Sequence, residues 1–275
     1  MISGREIAAG AKQVQDMEKA VLFDIDDTLY DQTQPFVRAY GRYFGDRFDI
    51  DAEKIFPLTR KYSDQVYGRA MAGEITMEEL YVYRVQKAFE EFGISISREE
   101  TLAFQEVYAG CQKHISMTER MKRILSFCSG RVKVGIITNG PSQHQWNKVR
   151  SLQADQWIPA ANIFVSADVG AEKPRREIFE YAQKSMQLDG TEVYFVGDSY
   201  DSDMAGAMNV GWKGIWMNRR GHRIPEGGRT PDFTVTSEEE LEELLHELLA
   251  GAKNSENKQR STGNYFLWGA VLQYF

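Results

Sequence analysis

Five short apolar runs, at residues 20–23, 132–137, 163–165, 193–196 and 215–217, constrain what this chain can fold into. Each has the length of a strand and is closed by a polar cluster, and several of the segments between them carry apolar residues at helical spacing. Ile178, Phe179, Ala182 and Met186 repeat in this way after Pro174, a residue suited to a first helical turn. Buried strands alternating with helices predict an α/β fold, a doubly wound, Rossmann-like and largely parallel sheet.

One interval breaks this rhythm. From Thr28 to Val132 the chain runs for about a hundred residues, whereas a strand–helix–strand crossover needs roughly thirty. Aromatics recur at helical spacing over residues 36–48, and Leu80, Val85, Ala88, Phe89 and Phe92 line one side of 77–92. A similar pattern covers 102–115. Residues 32–116 are therefore expected to form an inserted α-helical cap domain, and residues 1–31 with 117–250 the α/β core. The last core helix should begin at Ser237, which has capping-box spacing to Glu240 and precedes a stripe of Leu241, Leu244, Leu245, Leu248 and Leu249. Residues 251–275 start polar and turn-rich and end apolar, and are expected to be a flexible tail.

Composition narrows the partners. The net charge of −7 offers no electrostatic footprint for a nucleic acid polymer or an anionic membrane. The two cysteines, Cys111 and Cys128, lack the spacing of a zinc ribbon or a disulfide framework. The first residues have no apolar segment of the signal-peptide kind, and no run is long enough to span a bilayer. These features lead to an expected cytoplasmic location.

The informative polar residues sit where the strands end. In an open parallel sheet, ligands bind beyond the carboxyl ends of the strands. The first run leads into Asp24, Asp26, Asp27 and Thr28, and the second into Thr138, Asn139 and Gly140. Lys173 follows the third, and Gly197, Asp198 and Asp203 follow the fourth. Crowded carboxylates repel unless a cation sits among them or one stays protonated. Hard oxygen ligands of this kind suit magnesium, which commonly binds through one or two carboxylates and a substrate phosphate. Phosphate monoesters react extremely slowly in water, so a cation, Lys173, Thr138 and main-chain amides around the phosphate address the main barrier, which is electrostatic.

Asp24-x-Asp26-x-Thr28 after a strand, Thr138 after the second, Lys173 before Pro174, and the GDSYDSD segment at 197–203 together resemble the haloacid dehalogenase superfamily. The resemblance covers residues 18–31 and 117–250, and the insertion is similar to the helical cap of that superfamily's first subclass. It implies that Asp24 is a covalent nucleophile, that Asp26 is a general acid and base, and that Lys173 bridges Asp24 and phosphate. It implies magnesium ligation by the Asp24 carboxylate, the Asp26 carbonyl and Asp198, with Asp203 supporting that cluster from behind. Thr138, Asn139 and Gly140 would bind substrate. The segments MAGEITMEEL, TNGPSQHQWNKV and WMNRRGHRIPEGGRTPDFTV resemble the nucleotidase-type branch, which implies a nucleoside monophosphate as the small phosphorylated metabolite.

Other residues carry blander expectations. Asp27 reads as a turn residue and Asp201 as a loop acid. His114, His144, His222 and His246 share no metal-ligand spacing, and Tyr62, Tyr67, Tyr81 and Tyr83 read as packing residues. Arg84 could meet substrate from the cap. Among competing activities, dehalogenation has no leaving oxygen for Asp26 to protonate. A phosphonatase needs a Schiff-base lysine from the cap, for which Lys54, Lys61 and Lys87 are candidates. A sugar-phosphate phosphatase or phosphomutase keeps both aspartates. A non-enzymatic phospho-acceptor domain would be shorter and capless.

Overall fold

The computed structural model describes residues 18–251. Strand β1 (Lys19–Phe23) is followed by helices α1 (Thr33–Tyr43), α2 (Ala52–Met71), α3 (Met77–Glu90) and α4 (Arg98–Gln112). Helix α5 (Glu119–Ser129) leads into β2 (Lys133–Thr138), α6 (Ser142–Leu152), β3 (Ile163–Val165), the short α7 (Ser166–Val169) and α8 (Arg176–Ser185). Then come β4 (Glu192–Gly197), a π-helical turn (Tyr200–Met204), α9 (Ala205–Asn209), β5 (Lys213–Met217), β6 (Phe233–Val235) and α10 (Glu238–Leu248). The expected tail beyond Gly251 lies outside the described residues, as do residues 1–17.

The six strands form one sheet in the order β3-β2-β1-β4-β5-β6, and every pairing is parallel. This is the Rossmann-like order, with the crevice for ligands at the carboxyl end of the central strands. Side chains alternate across the sheet as the pleat requires. Val21 and Phe23 of β1, with Tyr194 and Val196 of β4, face α5, α6 and α10. Leu22 and Phe195 face α8 and α9 on the opposite side. Burying each of these large side chains contributes about 1.5–3 kcal/mol. The alternation therefore holds β1 and β4 in a fixed register, and with them the carboxylates that follow.

The insertion has its own apolar cluster. Phe36, Tyr40 and Phe44 of α1 and its end pack with Phe56, Phe89 and Phe104 from the other three helices. Its helices begin at strong local signals: Asp51 caps α2, and Thr76 with Glu79 and Ser97 with Glu100 form full capping boxes for α3 and α4. The cap of α10 differs from expectation. Ser237 does accept from the Glu240 N–H, but the Glu240 carboxylate reaches one residue further back, to the N–H and hydroxyl of Thr236. Helix α8 starts at Arg176 rather than at Pro174, whose bond to Lys173 is cis. Both cysteines are buried and free. Among the described residues, no helix is long and apolar enough to cross a membrane.

Candidate active site

The ends of β1, β2 and β4 bring most of the sequence-derived residues together. Asp24 follows β1 directly, its N–H bonded to the Val196 carbonyl at 2.8 Å. Lys173 Nζ, almost fully buried, lies 2.6 Å from Asp24 Oδ1 and 2.7 Å from Asp203 Oδ1. Asp203 is fixed in turn by the Ser199 N–H, at 3.0 Å from its Oδ2. Asp24, Asp198 and Asp203 each place a carboxylate oxygen within 4.8 Å of the others. This donor set is all oxygen, partly buried and open on the Asp198 side, which fits a magnesium ion.

The electrostatics of this cluster are strained as it stands. Burial pushes Asp24 up to about 7; Lys173 pulls against that shift, and Asp203 and Asp26 add to it. Burial and the charges of Asp203 and Asp24 raise Asp198 well above the carboxylate range. Burial works against the charge of Lys173, but its two carboxylate partners keep it firmly protonated. One lysine does not balance three acids, and a divalent cation among them would relieve the repulsion.

Gly197 makes the arrangement possible. A methyl group at this position would come within 2.4 Å of Asp203 Oδ2. Gly197→Ala should therefore displace Asp203 from Lys173 and destabilise the fold by about 1–3 kcal/mol. A denaturant melt at an unchanged midpoint would show instead that the loop yields freely.

Asp26 is held by a different set of partners. Its two oxygens accept from Lys148 Nζ at 2.7 and 2.5 Å, and Oδ1 also accepts from the Tyr30 hydroxyl at 2.7 Å. Burial would raise its pKa, but Lys148 and Tyr30 outweigh that and hold Asp26 below the usual carboxylate range. Lys148 was not singled out from sequence. The signal was its place on α6, on the inward face it shares with Gln145, Val149 and Leu152.

Thr138 is buried and its hydroxyl has no hydrogen-bond partner, as is true of Thr28. A buried orphan hydroxyl at this point suits an arriving phosphate oxygen. Asn139 and Gly140, expected to bind substrate, are engaged elsewhere. The Asn139 side chain donates to the Lys173 carbonyl and accepts from its N–H, at 2.9 and 2.8 Å. The Gly140 N–H donates to Ser166 Oγ. Asn139 thereby ties the Lys173 segment to the end of β2, and Gly140 ties that end to the start of α7.

Asp27 has a left-handed backbone (φ 54°), and its carboxylate accepts from the Gln32 N–H and from Arg220. Asp201 is exposed, as are the four histidines, with His246 stacked on Phe127. Tyr62 and Tyr83 pack against each other between α2 and α3, whereas Tyr67 is exposed. Lys61 and Lys87 pair with Glu91 and Glu90 at the surface, without the burial that would lower a lysine pKa for Schiff-base chemistry.

A family model for hydrolases, described as haloacid dehalogenase-like, matches residues 18–211. The pyrimidine 5'-nucleotidase YjjG of Escherichia coli (strain K12) is 36% identical over 123 residues, 44% of this chain and 53% of that protein. The match thus spans about half of that relative's length. The glyceraldehyde 3-phosphate phosphatase of Methanocaldococcus jannaschii is 25% identical over 240 residues, 84% of this chain and 99% of the relative. Human N-acylneuraminate-9-phosphatase is 23% identical over 252 residues, 84% of this chain and 94% of its own. Among solved structures, the hydrolase YfnB from Bacillus subtilis bound to magnesium superposes with a TM-score of 0.62 at 23% identity, covering 83% of this chain and 99% of that one.

Proposed function

The chain belongs to the haloacid dehalogenase-like hydrolases, and from that premise we propose that it is a magnesium-dependent phosphatase of small phosphate monoesters, acting through an aspartyl phosphate on Asp24. Nucleoside 5'-monophosphates are the proposed substrates. The observation that carries the reading is Lys173 bridging Asp24 and Asp203 beside Asp198, with the unpartnered Thr138 hydroxyl at the neighbouring strand end. Helices α1–α4 are proposed to act as a cap over this site.

The Asp24 and Asp198 carboxylates and the Asp26 main-chain carbonyl would hold magnesium, with Asp203 and Lys173 fixing Asp24 from behind. Magnesium, when bound, supplies positive charge to the phosphate oxygens. Lys173 and the Thr138 hydroxyl take the remaining oxygens. Asp24 attacks phosphorus and the bond to the leaving oxygen breaks, with Asp26 giving that oxygen its proton. Asp26 then takes a proton from the water that attacks phosphorus, the bond to Asp24 breaks, and inorganic phosphate leaves. Lys148 and Tyr30 keep Asp26 ionised in the free protein, ready for this second half. For the first half Asp26 takes up one proton as substrate enters, from solvent or from the phosphate monoanion itself, and the incoming like charge favours that protonated form.

The nucleotide reading is supported by the 36% identical segment shared with a pyrimidine 5'-nucleotidase. A sugar-phosphate reading has its own support, since the relatives aligned over most of their length carry names of sugar-phosphate phosphatases. A phosphate-release screen over nucleoside monophosphates, sugar phosphates and a phosphoprotein, with and without magnesium, separates them. Nucleoside monophosphates should turn over at least about tenfold faster than the phosphoprotein, because a closing cap excludes a folded partner. Release from none of them would overturn the phosphatase reading.

A further inference from the structure

The helical insertion carries two arginines, Arg60 and Arg84, whose donors are largely unused among the described residues. Phe56 of α2 lies beneath the Arg220 guanidinium, 5.5 Å from its ring centroid, and Arg220 also holds Asp27 and Asp31. Helix α2 therefore passes over the loop that carries Asp26 and Asp27. Arg60 follows Phe56 by four residues, one turn along on a neighbouring strip of the same helix. Burial works against the charge of Arg60, but the carboxylates of Asp64, Asp26 and Asp27 favour it, and Arg60 makes no side-chain hydrogen bond among the described residues.

Arg84 lies on α3, which packs against α2 where Tyr83 meets Tyr62 and Gln65. Its Nη2 donates to Gln105 Oε1 of α4 at 2.9 Å, and its guanidinium lies 5.0 Å from the Tyr81 ring and 6.0 Å from the Tyr108 ring. Its Nε is buried and has no partner. An arginine has five N–H donors, and most of these remain available. Burial and the nearby Arg60 both disfavour the charge on Arg84. Two adjacent cations with an orphan donor weaken a fold, and such violations belong where a ligand offsets them.

We propose that Arg60 and Arg84 select the leaving group, favouring alcohols that present planar acceptor oxygens: a sugar-acid carboxylate or the carbonyls of a pyrimidine ring. A guanidinium offers paired donors in one plane, which match such acceptors two at a time. The Tyr81 and Tyr108 rings lie beside the Arg84 guanidinium. This inference rests on the phosphatase reading and adds a direction to it, since a neutral polyol would leave these donors unmet.

The test compares kcat/KM for uridine 5'-monophosphate, 6-phosphogluconate and glycerol 3-phosphate in the wild-type protein and in Arg60→Gln, Arg84→Gln and Arg84→Lys. The wild type should prefer at least one acceptor-bearing substrate over glycerol 3-phosphate, and the two arms tell ring carbonyl from carboxylate. Each glutamine variant should shrink that preference by about ten- to a hundredfold, mostly through KM, with Arg84→Lys retaining part of it. Arg60 is exposed, so Arg60→Gln keeps the test open if Arg84→Gln folds poorly. A preference that survives Arg60→Gln and any folded Arg84→Gln, or a wild type that prefers glycerol 3-phosphate, overturns the proposal. A wild type that releases phosphate from none of the three removes the phosphatase reading itself.

Discussion

Asp24→Asn should abolish phosphate release, while Asp26→Asn should slow it and trap phosphorylated protein. The two outcomes differ because the proposed reaction divides in two. Without the Asp24 carboxylate there is no nucleophile, and neither turnover nor labelling by a phosphate mimic such as beryllium fluoride is expected. Without the Asp26 carboxylate, Asp24 can still displace a good leaving group from an aryl or acyl phosphate, which needs little protonation. Attack of water on the acyl phosphate then lacks its base, a loss of about a hundred- to ten-thousandfold. Asp26 sits on Lys148 and Tyr30 and is held ionised, the state that the second half requires. Mass spectrometry of the quenched Asp26→Asn protein should find a phosphate adduct on the peptide containing Asp24. An adduct elsewhere, or an Asp24→Asn protein at full rate, would refute the mechanism. Asp26→Asn also leaves the buried Lys148 without a counter-charge, so circular dichroism at the assay temperature must accompany the rates.

The parts legible in the sequence are those where side-chain chemistry and backbone period agree. Buried parallel strands are short apolar runs, and the one or two residues that follow such a run lie at the crevice, so Asp24, Thr138 and Asp198 could be placed by counting alone. Helix α2 was not singled out, although it is a 20-residue helix. Pro57 lies inside it and reads as a breaker, and two of its buried positions are Thr59 and Ser63, which blur the apolar stripe. Strand β6 escaped as well, being three residues long with Thr234 exposed. The engagement of Asn139 with the Lys173 backbone spans 34 positions. Composition cannot reveal where a side-chain amide spends its donors. Lys148 was hidden for a related reason: a lysine on a helix suggests solvent, and only the carboxylate it meets explains its burial.

The metal can be tested without activity, through stability. In the metal-free protein burial pushes the Asp24 carboxyl up from 3.8 to about 7, and it raises Asp198 as well. A carboxyl whose pKa is higher in the folded state binds more protons there than in the unfolded chain, so its contribution to stability is greatest at low pH. That contribution is lost as pH rises, and for Asp24 the loss continues through about pH 7. Metal-free protein should thus melt at progressively lower temperature between about pH 5 and pH 8, as far as these two groups govern it. Magnesium competes with those protons for the same oxygens, so its stabilisation should move the opposite way. At a free concentration a hundred times its dissociation constant it adds about 2.7 kcal/mol, a Tm rise of roughly 5–10 °C for a chain of this size. The rise should be full near pH 8 and much smaller near pH 5, where the carboxyls are protonated. Asp198→Asn removes a charge and little volume. It should raise the metal-free Tm near pH 8, by relieving repulsion, and cut the magnesium increment. An increment equal at both pH values, or undiminished in Asp198→Asn, would place magnesium somewhere other than this cluster.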